Sequence, residues 1–161
     1  MHGLDDARTA LAPGRPVTLL SAPGAALYAG CGWWRALVRL AQVERGPGDA
    51  QDPGRVPPGG PIPGDRIPTG RIPVGRIPAG HIPAGHIIDI LDCADAAGAA
   101  FAALRLEQRW LVLAPAAPGF AAAAAVAAAR GGWVLPAAPP ALDLAQPGAA
   151  RALAAWLGPK A

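Results

Sequence analysis

Lysine is almost missing from this 161-residue chain: Lys160 stands alone beside thirteen arginines. The formal net charge is +3, and the arginines are dispersed. A nucleic-acid binder shows a basic stripe interleaved with aromatics, so no nucleic-acid partner is expected. Cysteine is scarce too. Cys31 and Cys93 have no CxxC spacing, which excludes a disulfide framework and a cysteine-built zinc site. No stretch approaches the ~20 apolar residues of a membrane span, because the Ala-rich run 120–129 is too short and too weakly apolar. Asp5 and Asp6 stand where a secretory signal needs positive charge. The expectation is a cytoplasmic protein with no membrane partner. Neither GxGxxG nor GxxxxGK[ST] occurs, so no nucleotide cofactor is expected.

What is abundant is alanine, glycine and proline. Hydrophobic residues make up 52% of the chain, but roughly half of them are alanine. Alanine buries on the order of one methyl group, so Leu, Ile, Val and Trp must supply most of the core. In the middle stand four tandem pentapeptides: Arg66-Ile-Pro-Thr-Gly, Arg71-Ile-Pro-Val-Gly, Arg76-Ile-Pro-Ala-Gly and His81-Ile-Pro-Ala-Gly. Looser copies begin at Arg55. Proline removes a backbone donor and pushes the preceding Ile to an extended form, while glycine adds freedom. The spacing matches no heptad or solenoid period. Residues 46–85 therefore read as a disordered insertion, either a tolerated duplication or a tether or partner-binding segment recognised in the polyproline form. His81 and His86 lack a carboxylate or thiolate at ligand spacing, so no metal is expected there.

On either side, strands and helices alternate. Residues 1–15 read as a flexible arm with a helical turn around Asp5 to Leu11. Val17–Leu20 is a short apolar strand, and 21–32 a Gly/Ala-rich loop. Trp34, Leu37, Val38 and Ala41 fall at helical spacing in a helix from Trp33 to Glu44. Ile87–Leu91 is the second strand, bounded by Asp92. A helix over 96–107 has Asp95 as its expected N-cap. The third strand is Trp110–Leu113, and the helix 119–130 ends at Gly131-Gly132. Trp133–Leu135 is a fourth strand. Pro147 suits the first turn of a last helix ending at Leu157. Alternation of this kind implies parallel strands and right-handed crossovers. The expected fold is a single three-layer α/β domain of residues 16–45 and 86–161. Its four strands are expected in the order 2-1-3-4 of a flavodoxin-like or Rossmann-like sheet, with helices on both faces.

Ligands of such sheets bind beyond the carboxyl ends of the strands, at the point where the order reverses. That rule selects the loops after each strand and the residues Ser21, Gly24, Tyr28, Gly30, Asp92, Asp95 and Asp143. Gly24 and Gly30 sit in a Gly-rich loop before a helix, where backbone N–H groups can face an anion. Asp92 and Asp95 could work as an acid/base pair or hold a cation; alternatively Asp95 caps the helix and Asp92 accepts loop N–H bonds. Cys93 at a helix start has a nucleophile's position, but its carboxylate neighbours oppose a thiolate and no core histidine stands ready as a base. Of the adjacent Trp33 and Trp34, one belongs to the core and the other covers a site or an interface.

The pieces Leu19-Leu-Ser-Ala-Pro-Gly-Ala-Ala, Tyr28-Ala-Gly, Gly32-Trp-Trp-Arg-Ala-Leu-Val, Ile90-Leu-Asp-Cys-Ala-Asp-Ala-Ala-Gly and Pro139-Pro-Ala-Leu-Asp-Leu together resemble a group of small uncharacterised bacterial α/β proteins. The resemblance implies the architecture and carries over no activity. The leading functional expectation is a small ligand, an anionic one among the candidates, bound at the strand carboxyl ends. A non-catalytic interaction or scaffold protein is the alternative, and an enzyme the third.

Overall fold

The computed structural model describes residues 1–44 and 87–158. The pentapeptide insertion, with His81 and His86, lies outside the described residues. Within them the chain runs α1 (Leu4–Leu11), β1 (Thr18–Leu20), α2 (Ala25–Tyr28), α3 (Gly30–Glu44), β2 (Ile88–Asp92), α4 (Ala97–Arg105), β3 (Trp110–Val112), α5 (Phe120–Ala129), β4 (Trp133–Leu135) and α6 (Ala149–Leu157). No helix among the described residues is long and apolar enough to cross a membrane.

The four strands form one parallel sheet, so the fold is α/β as expected. The order is β1-β2-β3-β4, which corrects the expected 2-1-3-4. Both orders share the same alternation of strands and helices along the chain. They differ in the direction of one crossover, which composition does not encode. Three crossovers of one hand, each stepping one strand further, set α3, α4 and α5 side by side on one face. Small side chains let them sit there: Ala100, Ala103, Ala123 and Ala127 are fully buried.

Strand alternation sorts the sheet into two faces. Leu19, Leu91, Leu111, Leu113 and Val134 join the core formed with α1, α3, α4 and α5. The opposite face carries Ile88, Ile90, Trp110, Val112 and Leu135, with Leu20 and Trp133 packed beside them. Register aligns Leu20, Ile90, Trp110 and Trp133 across all four strands. No described helix contributes a hydrophobic to this second cluster. Its members Ile88, Ile90, Trp110, Val112 and Leu135 are nonetheless buried, so the strands are apolar and covered on both faces, as the alternation implied.

Trp34 is the largest fully buried side chain. Its indole Nε1 donates to the Asp89 carboxylate at 3.1 Å, fixing α3 over β2. Trp33, next to it, is 36% exposed, so Trp34 is the core member of the pair. Gln108 closes the other side of β2 and β3, donating to the carbonyls of Asp89 and Trp110.

Residues 1–15, expected as a flexible arm with a helical turn around Asp5 to Leu11, contain a regular helix over Leu4–Leu11 that packs on α3. Ala7, Ala10 and Leu11 are buried, which is the i, i+3, i+4 spacing of one apolar face. Arg8 locks the pair, donating through Nε and Nη2 to the Glu44 carboxylate at 2.7 and 2.8 Å. The expected loop 21–32 also holds more structure, since α2 takes one turn of it and α3 starts at Gly30.

Candidate functional site

Parallel strands bring their carboxyl ends to one edge, and there Ser21, Gly24 and Asp92 meet. Ser21 follows β1 and Asp92 ends β2. The Ser21 hydroxyl accepts the Asp92 N–H at 2.9 Å and donates to the Ala22 carbonyl at 3.2 Å. The Asp92 carboxylate accepts the Gly24 N–H at 3.1 Å and the Ala94 N–H at 2.8 Å. Both Ser21 and Asp92 are buried. Gly24 takes φ +64° and Ala94 φ +49°, so the carboxylate ties together two left-handed turns. This is the loop-bonding role weighed above for Asp92. Its Oδ1 occupies the place an anion would take on the Gly-rich loop, because the Gly24 N–H already points at it.

The other sequence candidates lie apart from this knot. The expected side-chain cap from Asp95 does not form. The N-cap position of α4 is Ala96, without a side-chain bond, and Asp95 contributes its carbonyl to the Ala97 N–H at 3.1 Å. The chain turns through Ala94 in the left-handed region, which shifts the helix start past Asp95. Tyr28 ends α2 and is 68% exposed. Gly30 opens α3 with φ +82°. Asp143 folds a tight turn, accepting the Ala145 N–H and the Gln146 side-chain amide, both at 3.0 Å. Those bonds, with His2 Nε2 at 3.3 Å, hold its carboxyl below the ordinary value.

Cys93 is fully buried. Burial first, then the charge of Asp92, pushes its thiol up to about 12. A thiol so raised stays protonated at neutral pH and is a poor nucleophile. Among the described residues no group of three or more His, Cys, Asp or Glu is placed to hold a metal ion.

The sheet order moves the opening. An order without reversal has no switch point, so adjacent loops do not diverge to leave a crevice above the central strands. A cavity of about 790 Å³ lies instead along β1, which is an edge strand. One wall is the β1 segment from Pro16 to Pro23. Opposite it stand Leu153, Trp156 and Leu157 of α6 and the segment 139–144, with Met1 and His2 at one end. Ser21 and Asp143 line this space; Gly24, Tyr28, Gly30, Asp92 and Asp95 do not. The lining is mainly apolar. A smaller cavity of about 450 Å³ lies between α1 and α6, closed partly by the Arg15 guanidinium on the Gly158 carbonyl.

Sequence reasoning missed Thr18, Leu153, Trp156 and Leu157. The i, i+3, i+4 spacing of the three α6 residues was readable. Their target was not, because it depends on β1 being at the edge. No family model, curated protein or solved structure matches the chain.

Proposed function

We propose that this chain is a binding protein for a small, largely apolar ligand held in the cavity along β1. The observation that carries this reading is the cavity itself. Its volume, about 790 Å³, lies within the roughly 300–1,000 Å³ of small-molecule sites. Its apolar walls and few polar groups match the usual make-up of such sites. The anionic form of the reading loses support, since the loop N–H group best placed for an anion serves Asp92. Nucleophilic catalysis loses support through the protonated Cys93.

The test is native mass spectrometry of the purified protein, followed by titration of whatever molecule is retained. Ala141 lines the cavity and is exposed, so Ala141→Trp should fill the space without disturbing the core. The expected result is retention by the wild type and loss in Ala141→Trp. At 100 times its Kd such a ligand adds about 2.7 kcal/mol of stability. Retention equal in both proteins would place the ligand elsewhere.

One observation favours the interaction reading as a second possibility. Trp33, Leu40 and Val43 are exposed on α3, and with Ala36 they repeat at the 3-4-3 spacing of a helix-pairing seam. Leu40→Glu would abolish association through that seam, read by sedimentation, and leave the β1 cavity intact.

A further inference from the structure

We infer that the β1 cavity takes its ligand as an added strand: an extended, uncharged apolar peptide segment of a partner protein, paired to the backbone of Thr18 and Leu20. This inference rests on the binding reading above and names the class of ligand.

The argument starts from ladder geometry. β1 pairs with β2 in parallel, Leu20 opposite Ile90, and the Ser21 N–H donates to the Ile90 carbonyl. In a parallel pair, alternate residues send both backbone groups to the same neighbour. The odd residues Leu19 and Ser21 thus face β2. The even residues Thr18, Leu20 and Ala22 face outward, and among the described residues no strand pairs with β1 on that side.

The chain itself shows what that edge accepts. Met1 donates its nitrogen to the Leu20 carbonyl at 3.0 Å, and its carbonyl receives the Ala22 N–H at 2.9 Å. That is the two-bond pattern of a parallel bridge, made by Met1 opposite Ser21. Two residues lower the same bridge would use the Thr18 carbonyl and the Leu20 N–H. Neither group has a partner among the described residues. Both belong to residues lining the cavity.

A peptide strand satisfies such a pair with its own N–H and C=O, and strand addition to a sheet edge is a general recognition mode. Its side chains would alternate between α6, with Leu153, Trp156 and Leu157, and the proline-bearing segment 139–144. Both walls are mainly apolar. The Asp143 carboxylate is already matched by the Ala145 N–H, the Gln146 amide and His2 Nε2, which leaves no call for a charged ligand side chain.

The probe is an array of acetylated, amidated five-residue peptides built from Val, Ile, Leu and Thr. Each binder is then remade twice, N-methylated at its second and fourth amides or at its third and fifth. The expected result is that one methylation set abolishes binding and the other keeps it within a few-fold. Saturation with the unmethylated peptide should slow hydrogen exchange at the Leu20 amide by up to ~100-fold at 100 times Kd. If both sets bind equally, or both fail, side chains alone hold the peptide and strand pairing is refuted. If no peptide binds while small apolar molecules are retained and lost in Ala141→Trp, this inference falls and the binding function stands. If neither peptides nor small molecules enter, both fall.

Discussion

Removing the Asp92 carboxylate should cost more than an ordinary surface change. Oδ1 accepts two backbone N–H groups, from Gly24 at 3.1 Å and from Ala94 at 2.8 Å. Hydrogen bonds to an ionised acceptor are worth ~1.5–3 kcal/mol each when buried, and a stranded donor costs ~1–3 kcal/mol. Both donors here are partly buried, so water can recover some of that loss. Asp92→Ala should therefore lower stability by about 2–3 kcal/mol. Asp92→Asn keeps a carbonyl in the same place without the charge, and neutral bonds are roughly half as strong, so its cost should be about 1 kcal/mol. Ala94 supplies an internal control. Its left-handed conformation, φ +49°, costs a non-glycine residue ~1–2 kcal/mol, and the bond to Asp92 helps hold it. Ala94→Gly removes that strain and should leave Asp92→Ala less damaging by about 1 kcal/mol in the double variant. Urea denaturation with a fixed m-value measures the four variants against wild type. A loss below about 0.5 kcal/mol for Asp92→Ala, or equal losses for Ala and Asn, would refute the view that Asp92 is a structural knot.

Two more predictions rest on single contacts. Any Cβ at Gly132 would run into the Arg109 carbonyl, whose oxygen accepts the Trp133 N–H at 2.8 Å; Gly132→Ala should destabilise by ~1–3 kcal/mol or more, read as a lowered urea midpoint, and an unchanged midpoint would show that β4 enters the sheet differently. Burial holds the Asp89 carboxyl above its ordinary value, despite the bond from Trp34. A raised carboxyl favours the protonated folded state, so its contribution is fully present below the unfolded pKa and is lost as pH rises through the folded one. Asp89→Asn keeps an acceptor for Trp34 and should raise stability at pH 7 relative to wild type while gaining nothing at pH 3; equal effects at both pH values would contradict the shift.

Local pattern made much of this domain legible. Trp34, Leu37, Val38 and Ala41 were read as the buried face of a helix, and all four are buried. Trp133–Leu135 has the bounds its apolar run implied. Pattern fell short where alanine stood in for larger residues. The turn around Asp5 to Leu11 was legible, but not its packing on α3, because α1 buries Ala7 and Ala10 alongside Leu11; α2, one turn of Ala-Ala-Leu-Tyr after Gly24, was read as loop. Neither has the bulk that makes an apolar face visible. The site was legible in one half. Ser21, Gly24 and Asp92 do meet at the strand ends, because parallel strands must bring them to one edge. The cavity was invisible, since it exists through the strand order. Placing β1 outermost turns the reverse side of the strand toward α6 and segment 139–144, and no residue in β1 announces that position.

Backbone amide hydrogen exchange along β1 tests the strand order, and with it the site. Leu19 and Ser21 donate into the ladder with β2, while the Leu20 N–H faces the open edge. The account predicts alternation in the unliganded protein: Leu19 and Ser21 exchange through opening of the sheet, and Leu20 exchanges at least ~100-fold faster. Protection of Leu20 equal to that of its two neighbours would put another strand beside β1, restore an order such as 2-1-3-4, and close the groove on which the proposed function stands.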